Sequence, residues 1–181
     1  MNRTAATTAL RQLDKQNKFL FTKHDLRKWF PLDTPKTFDA GLKRLVKDNS
    51  LEWVCHNVYL NPHAQSMDYG YTIEHVAKIL RRGEYNYVSL ESLLAEYGVI
   101  SQIPIDRLTV ITTGRTGEYK TKYGVIEFTH TKRPFSEIIP HLIKDPRRPL
   151  HIVSKQIAWR DLKRIGRNIN MVNLEELNHE D

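Results

Sequence analysis

Between residues 22 and 60 the chain reads TKHDLRKWFPLDTPKTFDAGLKRLVKDNSLEWVCHNVYL, and this stretch limits the possible folds more than any other. Thr22 suits the N-cap of a helix and Asp25 the return half of a capping box, with Phe21 and Leu26 placed as a hydrophobic staple. Leu26, Trp29 and Phe30 then recur at helical spacing until Pro31, which removes a donor and ends the segment. Thr34 followed by Pro35 starts a second helix, as a cap with proline in the first position. That helix places Phe38, Leu42, Leu45 and Val46 inward, and Lys36, Thr37, Ala40, Lys43, Arg44 and Lys47 on the other side. Two short strands follow, 51–54 and 58–60, turning near His56-Asn57. Helix, tight turn, helix and hairpin in that order predict a winged helix-turn-helix, whose second helix enters a DNA major groove. An ordinary solvated helix face would look similar, so the short turn and the hairpin carry the distinction.

Charge distribution agrees with a nucleic-acid partner. The 181 residues carry a net charge of +7. Residues 1–66 hold 11 Lys/Arg against 6 Asp/Glu, whereas 67–181 hold 17 against 15. Cationic excess therefore gathers where the helix pair is read, and attraction to phosphates with counterion release is its natural use. One cysteine, Cys55, excludes an intrachain disulfide framework. The opening MNRTAATTALRQLDKQ offers no apolar run for a signal peptide, and no stretch has the length of a membrane span. The expectation is a soluble, cytoplasmic protein that does not meet a membrane.

Residues 4–16 extend the first domain with a helix whose stripe is Ala6, Leu10 and Leu13. Residues 18–21 read as an extended link, and 61–68, opened by Asn61-Pro62, as a linker. The domains are thus expected at 1–66 and 69–181. In the second, Thr72 and Ser89 are read as caps of two helices, the latter ending at Gly98. Residues 108–113 form a strand, and 118–123 pairs with 125–131 around Gly124. Residues 135–143 are helical but interrupted by Pro140, and 154–165 form a helix stopped by Gly166. Asn173 and Glu176 box the start of a last short helix. The fold class is α+β: a winged helix, then a small α+β domain with a mainly antiparallel sheet.

Within the later helix, Ala158, Leu162 and Ile165 share one face and Arg160, Lys163 and Arg164 lie opposite, extended by Arg167 if the turn continues past Gly166. Asp161 is the only acid in that run. A solvated face, a second DNA contact and a surface for an acidic protein compete; DNA is preferred, because a lone winged helix makes few phosphate contacts.

No His or Cys spacing suggests a metal, and no cofactor motif appears. His130, on a strand, reads as solvated or half-buried, and Cys55 as a structural thiol. The turn Gly114-Arg115-Thr116-Gly117 lacks the Lys-Ser/Thr ending of a P-loop. Pro104-Ile105-Asp106 with Glu118-Tyr119-Lys120 spells the loose Asp…Glu-x-Lys pattern of Mg²⁺-dependent nucleases, with the carboxylates expected on neighbouring strands. A chain with 27% charged residues produces that pattern by chance. No catalytic residue is assigned.

Over nearly its whole length, and most tellingly in its second half, the chain resembles the AbiEi antitoxin family of type IV toxin–antitoxin systems in phage abortive infection. The segments carrying the resemblance are YVSLESLLAEYGVISQIP (87–104), LTVITTGRT (108–116), YGVIEFTHTK (123–132) and AWRDLKRIGRNINMVNLEEL (158–177), in that order. The resemblance implies a non-enzymatic antitoxin. Such a protein binds DNA and represses its own operon, here expected through an inverted-repeat operator in double-stranded DNA, and its C-terminal domain, 69–181 here, opposes a nucleotidyltransferase-like toxin without requiring a stable complex. IVSKQIAWRDL (152–162) departs from the pattern: Ser154 keeps the cap, but Lys155 stands where many relatives have an acid. The alternatives are the nuclease, through Asp106, Glu118 and Lys120, and a plain winged-helix transcription factor with a ligand- or partner-sensing domain.

Overall fold

The computed structural model describes residues 2–101 and 106–179, and within them the chain is mixed α+β. It divides into two compact units, Met1–Thr72 and Ile73–Asp181.

In the first unit, α1 (Arg3–Asp14) is capped by Asn2, whose side chain accepts the Thr4 N–H at 3.0 Å. A short strand, β1 (Leu20–Thr22), leads into α2 (Lys23–Arg27). The predicted capping box is present: Thr22 N–H donates to the Asp25 carboxylate and Asp25 N–H to Thr22 Oγ1, both at 3.0 Å. α2 stops short of the Leu26–Phe30 periodicity. Pro31 disfavours helical backbone at residue 30, and the Arg27 guanidinium donates to the Asp33 carbonyl across the turn. Trp29 is left partly exposed, at 37%. α3 (Pro35–Lys47) begins at the Thr34 cap, with Thr34 Oγ1 accepting the Thr37 N–H at 3.2 Å.

Ala6, Leu10 and Leu13 of α1, Leu26 of α2, and Phe38, Leu42 and Leu45 of α3 form one buried cluster with Phe21 and Leu51. Val46 only flanks it. β2 (Glu52–Cys55) and β3 (Val58–Leu60) form a hairpin that turns at Asn57, which adopts φ +59°. The residues before Thr22 do more than link helices. β1 pairs antiparallel with β3, giving a three-stranded sheet of order β1-β3-β2 with Phe21 opposite Tyr59.

The stretch 61–68 is likewise anchored. Gln65 and Ser66 N–H groups donate to the Asp14 carboxylate at 3.1 Å, Ser66 Oγ joins them at 2.7 Å, and Ala64 is buried. The Ser66 hydroxyl, then these N–H groups, hold the Asp14 carboxyl below its ordinary pKa.

The second unit contains α4 (Thr72–Leu80, counting its boundary residue), β4 (Asn86–Val88), α5 (Leu90–Glu96), β5 (Arg107–Thr112), β6 (Gly117–Thr121) and β7 (Gly124–His130). α6 (Phe135–Ile138), α7 (Lys155–Ile165) and α8 (Leu174–Asn178) complete it. Its four-stranded sheet has the order β4-β5-β7-β6. The outer pairings are antiparallel, as expected of the 117–130 hairpin, but the central pair β5–β7 is parallel. Burial explains the placement. β5 is covered on both faces, with Val110 and Ile111 buried, and β7 buries Ile126 and Phe128, while GEYKT in β6 buries none fully and sits at the edge. Gly124 adopts φ +121°, and a Cβ there would strike the Asp106 carbonyl oxygen, which accepts the Val125 N–H at 2.7 Å.

Of two predicted caps, Thr72 falls within its helix instead of ahead of it, and Ser89 holds the N-cap position of α5 as predicted but makes no side-chain cap bond. The Thr72 hydroxyl donates to the Asp68 carbonyl at 2.6 Å; the Ser89 hydroxyl donates to Asp161 at 2.9 Å. Ser154 caps α7 as predicted, through the Ile157 N–H at 3.4 Å, and Gly166 stops it at φ +75°. Lys155 is buried, and its ammonium donates to the Glu176 and His179 carbonyls at the end of α8. A cation satisfying a helix C-terminus is favourable, and this gives a structural reason for a lysine at that position.

Candidate functional site

Two surfaces collect the residues singled out by sequence. On α3 the burial pattern separates cleanly: Phe38, Gly41, Leu42 and Leu45 are buried, whereas Lys36, Thr37, Ala40, Lys43, Arg44 and Lys47 are all exposed. The helical period of 3.6 carries these six onto one outward side. Thr37 Oγ1 lies 2.9 Å from Thr34 Oγ1, so its hydroxyl is tied to the cap. Arg44 and Lys47 also line a cleft of about 430 Å³ with Gly41, Leu45 and, from the start of α1, Asn2 and Arg3. Arg3 lies 3.4 Å from Asp48 across the end of α3.

The second surface lies on α7. Ala158 and Leu162 are buried and Ile165 half-buried, while Lys163 and Arg164 are exposed. Lys163 Nζ sits 5.2 Å from the Trp159 ring centroid. Arg160 is half-buried, and its Nε has no hydrogen-bond partner among the described residues. Arg167 does not extend this stripe. The left-handed Gly166 turns the chain, and the Arg167 guanidinium donates to Glu91 at 2.7 and 3.1 Å and to Glu127. Asn168 adds a bond to Glu91 at 2.9 Å.

Asp161, the lone acid of the basic run, is 2% exposed. It accepts from Tyr87 Oη at 3.0 Å, from Ser89 Oγ at 2.9 Å and from the Arg133 guanidinium. Burial, then the neighbouring Asp161 charge, raises the Tyr87 pKa, so the phenol remains a donor. Sequence reading missed this cluster. Its only sequence signal was one acid among cations on a helix whose inner face is otherwise apolar.

The Asp106, Glu118, Lys120 pattern is not assembled as expected. Pro104 and Ile105 lie outside the described residues. β5 and β6 are not neighbours, because β7 runs between them, which puts two strand spacings, about 10 Å, between the lines carrying the two carboxylates. Glu118 stands opposite Glu127 in the register, and Arg107 bridges the two like charges at 3.0 and 2.9 Å. Among the described residues no group of three His, Cys, Asp or Glu side chains is arranged to hold a metal ion. Cys55 is buried, and burial pushes its thiol up to about 11, so it is protonated near neutral pH. His130 is exposed, with Nδ1 at 2.8 Å from the Gly114 carbonyl.

No helix among the described residues is long and apolar enough to cross a membrane. Compared with models of known protein families and with curated proteins, the chain matches none.

Proposed function

We propose that the first unit is a winged helix that binds double-stranded DNA, with α3 in the major groove and the β2–β3 hairpin as the wing. The observation that carries this reading is the outward face of α3, where Lys36, Thr37, Ala40, Lys43, Arg44 and Lys47 are exposed over a buried apolar face. Arg44 and Lys43 address base edges together with Thr37; Lys36 and Lys47 address phosphates; Ala40 lets the helix approach closely. Arg160, Lys163 and Arg164 make a second phosphate contact. Arg167, bound to Glu91 and Glu127, holds the end of α7 in place. With the resemblance of the second half, the chain acts as an antitoxin and autorepressor: it occupies an inverted repeat upstream of its own gene and opposes a nucleotidyltransferase-like toxin.

The test is operator binding by fluorescence anisotropy, using the DNA upstream of the gene. Arg44→Ala should cost about 1–3 kcal/mol if it reads a guanine, and relax preference at one position. Unchanged affinity in a Lys43→Ala, Arg44→Ala double variant refutes the DNA reading. Co-expression with the product of an adjacent nucleotidyltransferase-like gene tests the antitoxin reading; failure to restore growth refutes it.

A further inference from the structure

A cleft of about 520 Å³ opens in the second unit, between the end of β7 and α7. Its lining includes Lys132, Arg133 and Arg164 and the apolar residues Ile111, Pro134 and Ile165. Three cations converge there with one acid, Asp161, which Arg133, Tyr87 and Ser89 already engage. The excess of two positive charges matches a dianionic phosphate, which carries nearly two negative charges at neutral pH. A concave wall of one sign also focuses potential toward an anion.

The built part of the site is Arg133. Its side chain is 12% exposed and held by Asp161 and, at 3.2 Å, by Tyr87 Oη, yet its Nε is buried without a hydrogen-bond partner among the described residues. Held in this way, the guanidinium keeps a fixed place in the cleft wall beside the exposed Lys132 and Arg164. The volume falls within the range of small-ligand sites, and apolar walls beside a few placed charges are their usual lining.

We propose that this cleft binds a free nucleotide, its phosphates on Lys132, Arg133 and Arg164 and its base against Ile111, Pro134 and Ile165. The site is separate from α3, but it claims Arg164 for a nucleotide in place of the second DNA phosphate contact, so the two readings compete for that side chain and the test below separates them.

The test titrates the full chain with ATP, with GTP and with inorganic phosphate by calorimetry, and with a random-sequence DNA duplex by anisotropy. Lys132→Gln and Arg164→Gln are combined in one variant, since both side chains are exposed and Arg133 is left in place. At least one nucleotide should bind saturably and more tightly than inorganic phosphate, and the double variant should weaken it at least tenfold. The Lys43→Ala, Arg44→Ala variant should bind that nucleotide like wild type. No saturable nucleotide binding up to millimolar concentration, or binding unchanged in the Lys132→Gln, Arg164→Gln variant, overturns the proposal. A loss confined to the duplex, with a salt slope smaller by nearly two, assigns the cations to the DNA backbone and also overturns it.

Discussion

Asp161→Ala should strongly destabilise the second unit. It removes the carboxylate that Arg133, Tyr87 and Ser89 share in a site where Asp161 is 2% exposed. An uncompensated buried cation costs about 3–5 kcal/mol. Each stranded hydroxyl adds about 1 kcal/mol, non-additively. The 12% exposure of the Arg133 side chain screens this only slightly, so about 4 kcal/mol is a fair central value. For a unit of about 110 residues, an unfolding entropy near 2.1 cal/mol/K per residue converts that loss into about 17 °C in Tm. Trp159 on α7 reports the melt once Trp29 and Trp53 of the first unit are replaced by Phe. Asp161→Asn keeps the volume and one acceptor oxygen and should lose about half as much. Asp161→Leu combined with Arg133→Met should recover most of the stability, because an apolar pair of similar volume replaces a buried ion pair at little cost. A shift under about 3 °C for Asp161→Ala would mean that the charge is solvated, and the cluster would lose its organising role.

Three further outcomes follow from local geometry. Thr34→Ala removes the acceptor of the Thr37 N–H and should cost about 1 kcal/mol in urea unfolding, whereas Thr34→Ser should cost little; equal effects would deny the cap. Gly124→Ala places a Cβ against the Asp106 carbonyl at φ +121° and should destabilise by at least about 2 kcal/mol; a neutral result would mean that β7 starts differently. Because the Asp14 pKa is depressed in the folded chain, its contribution is present above the ordinary value of 3.8 and is lost as pH falls through the lower folded value. The Gln65 and Ser66 amide NMR shifts should therefore titrate with a midpoint below 3.8; a midpoint at or above it would detach this segment from α1.

Local chemistry made much of the first unit legible. The Thr22–Asp25 box, the Thr34-Pro35 start and the alternation of Phe38, Leu42 and Leu45 with cationic residues each depend on neighbours within four positions, so the sequence alone determines them. The same holds for Ser154 at the start of α7 and Gly166 at its end. Pairing across the chain did not follow from such rules. Residues 20–22 become a strand only because β3 offers its edge, and β7 joins β5 in parallel because burial sends β6 outward. Side-chain partnerships were decided the same way. Arg167 reads as one more cation of a basic stripe until Glu91 and Glu127, 76 and 40 residues away in sequence, close on it. Asp161 reads as a stray acid until Arg133 and Tyr87 meet it below the surface. Periodicity fixes which way a residue faces, since it depends on backbone geometry over a single turn. Which charge meets which depends on long-range packing, and that is settled only when the tertiary fold excludes water from the pair.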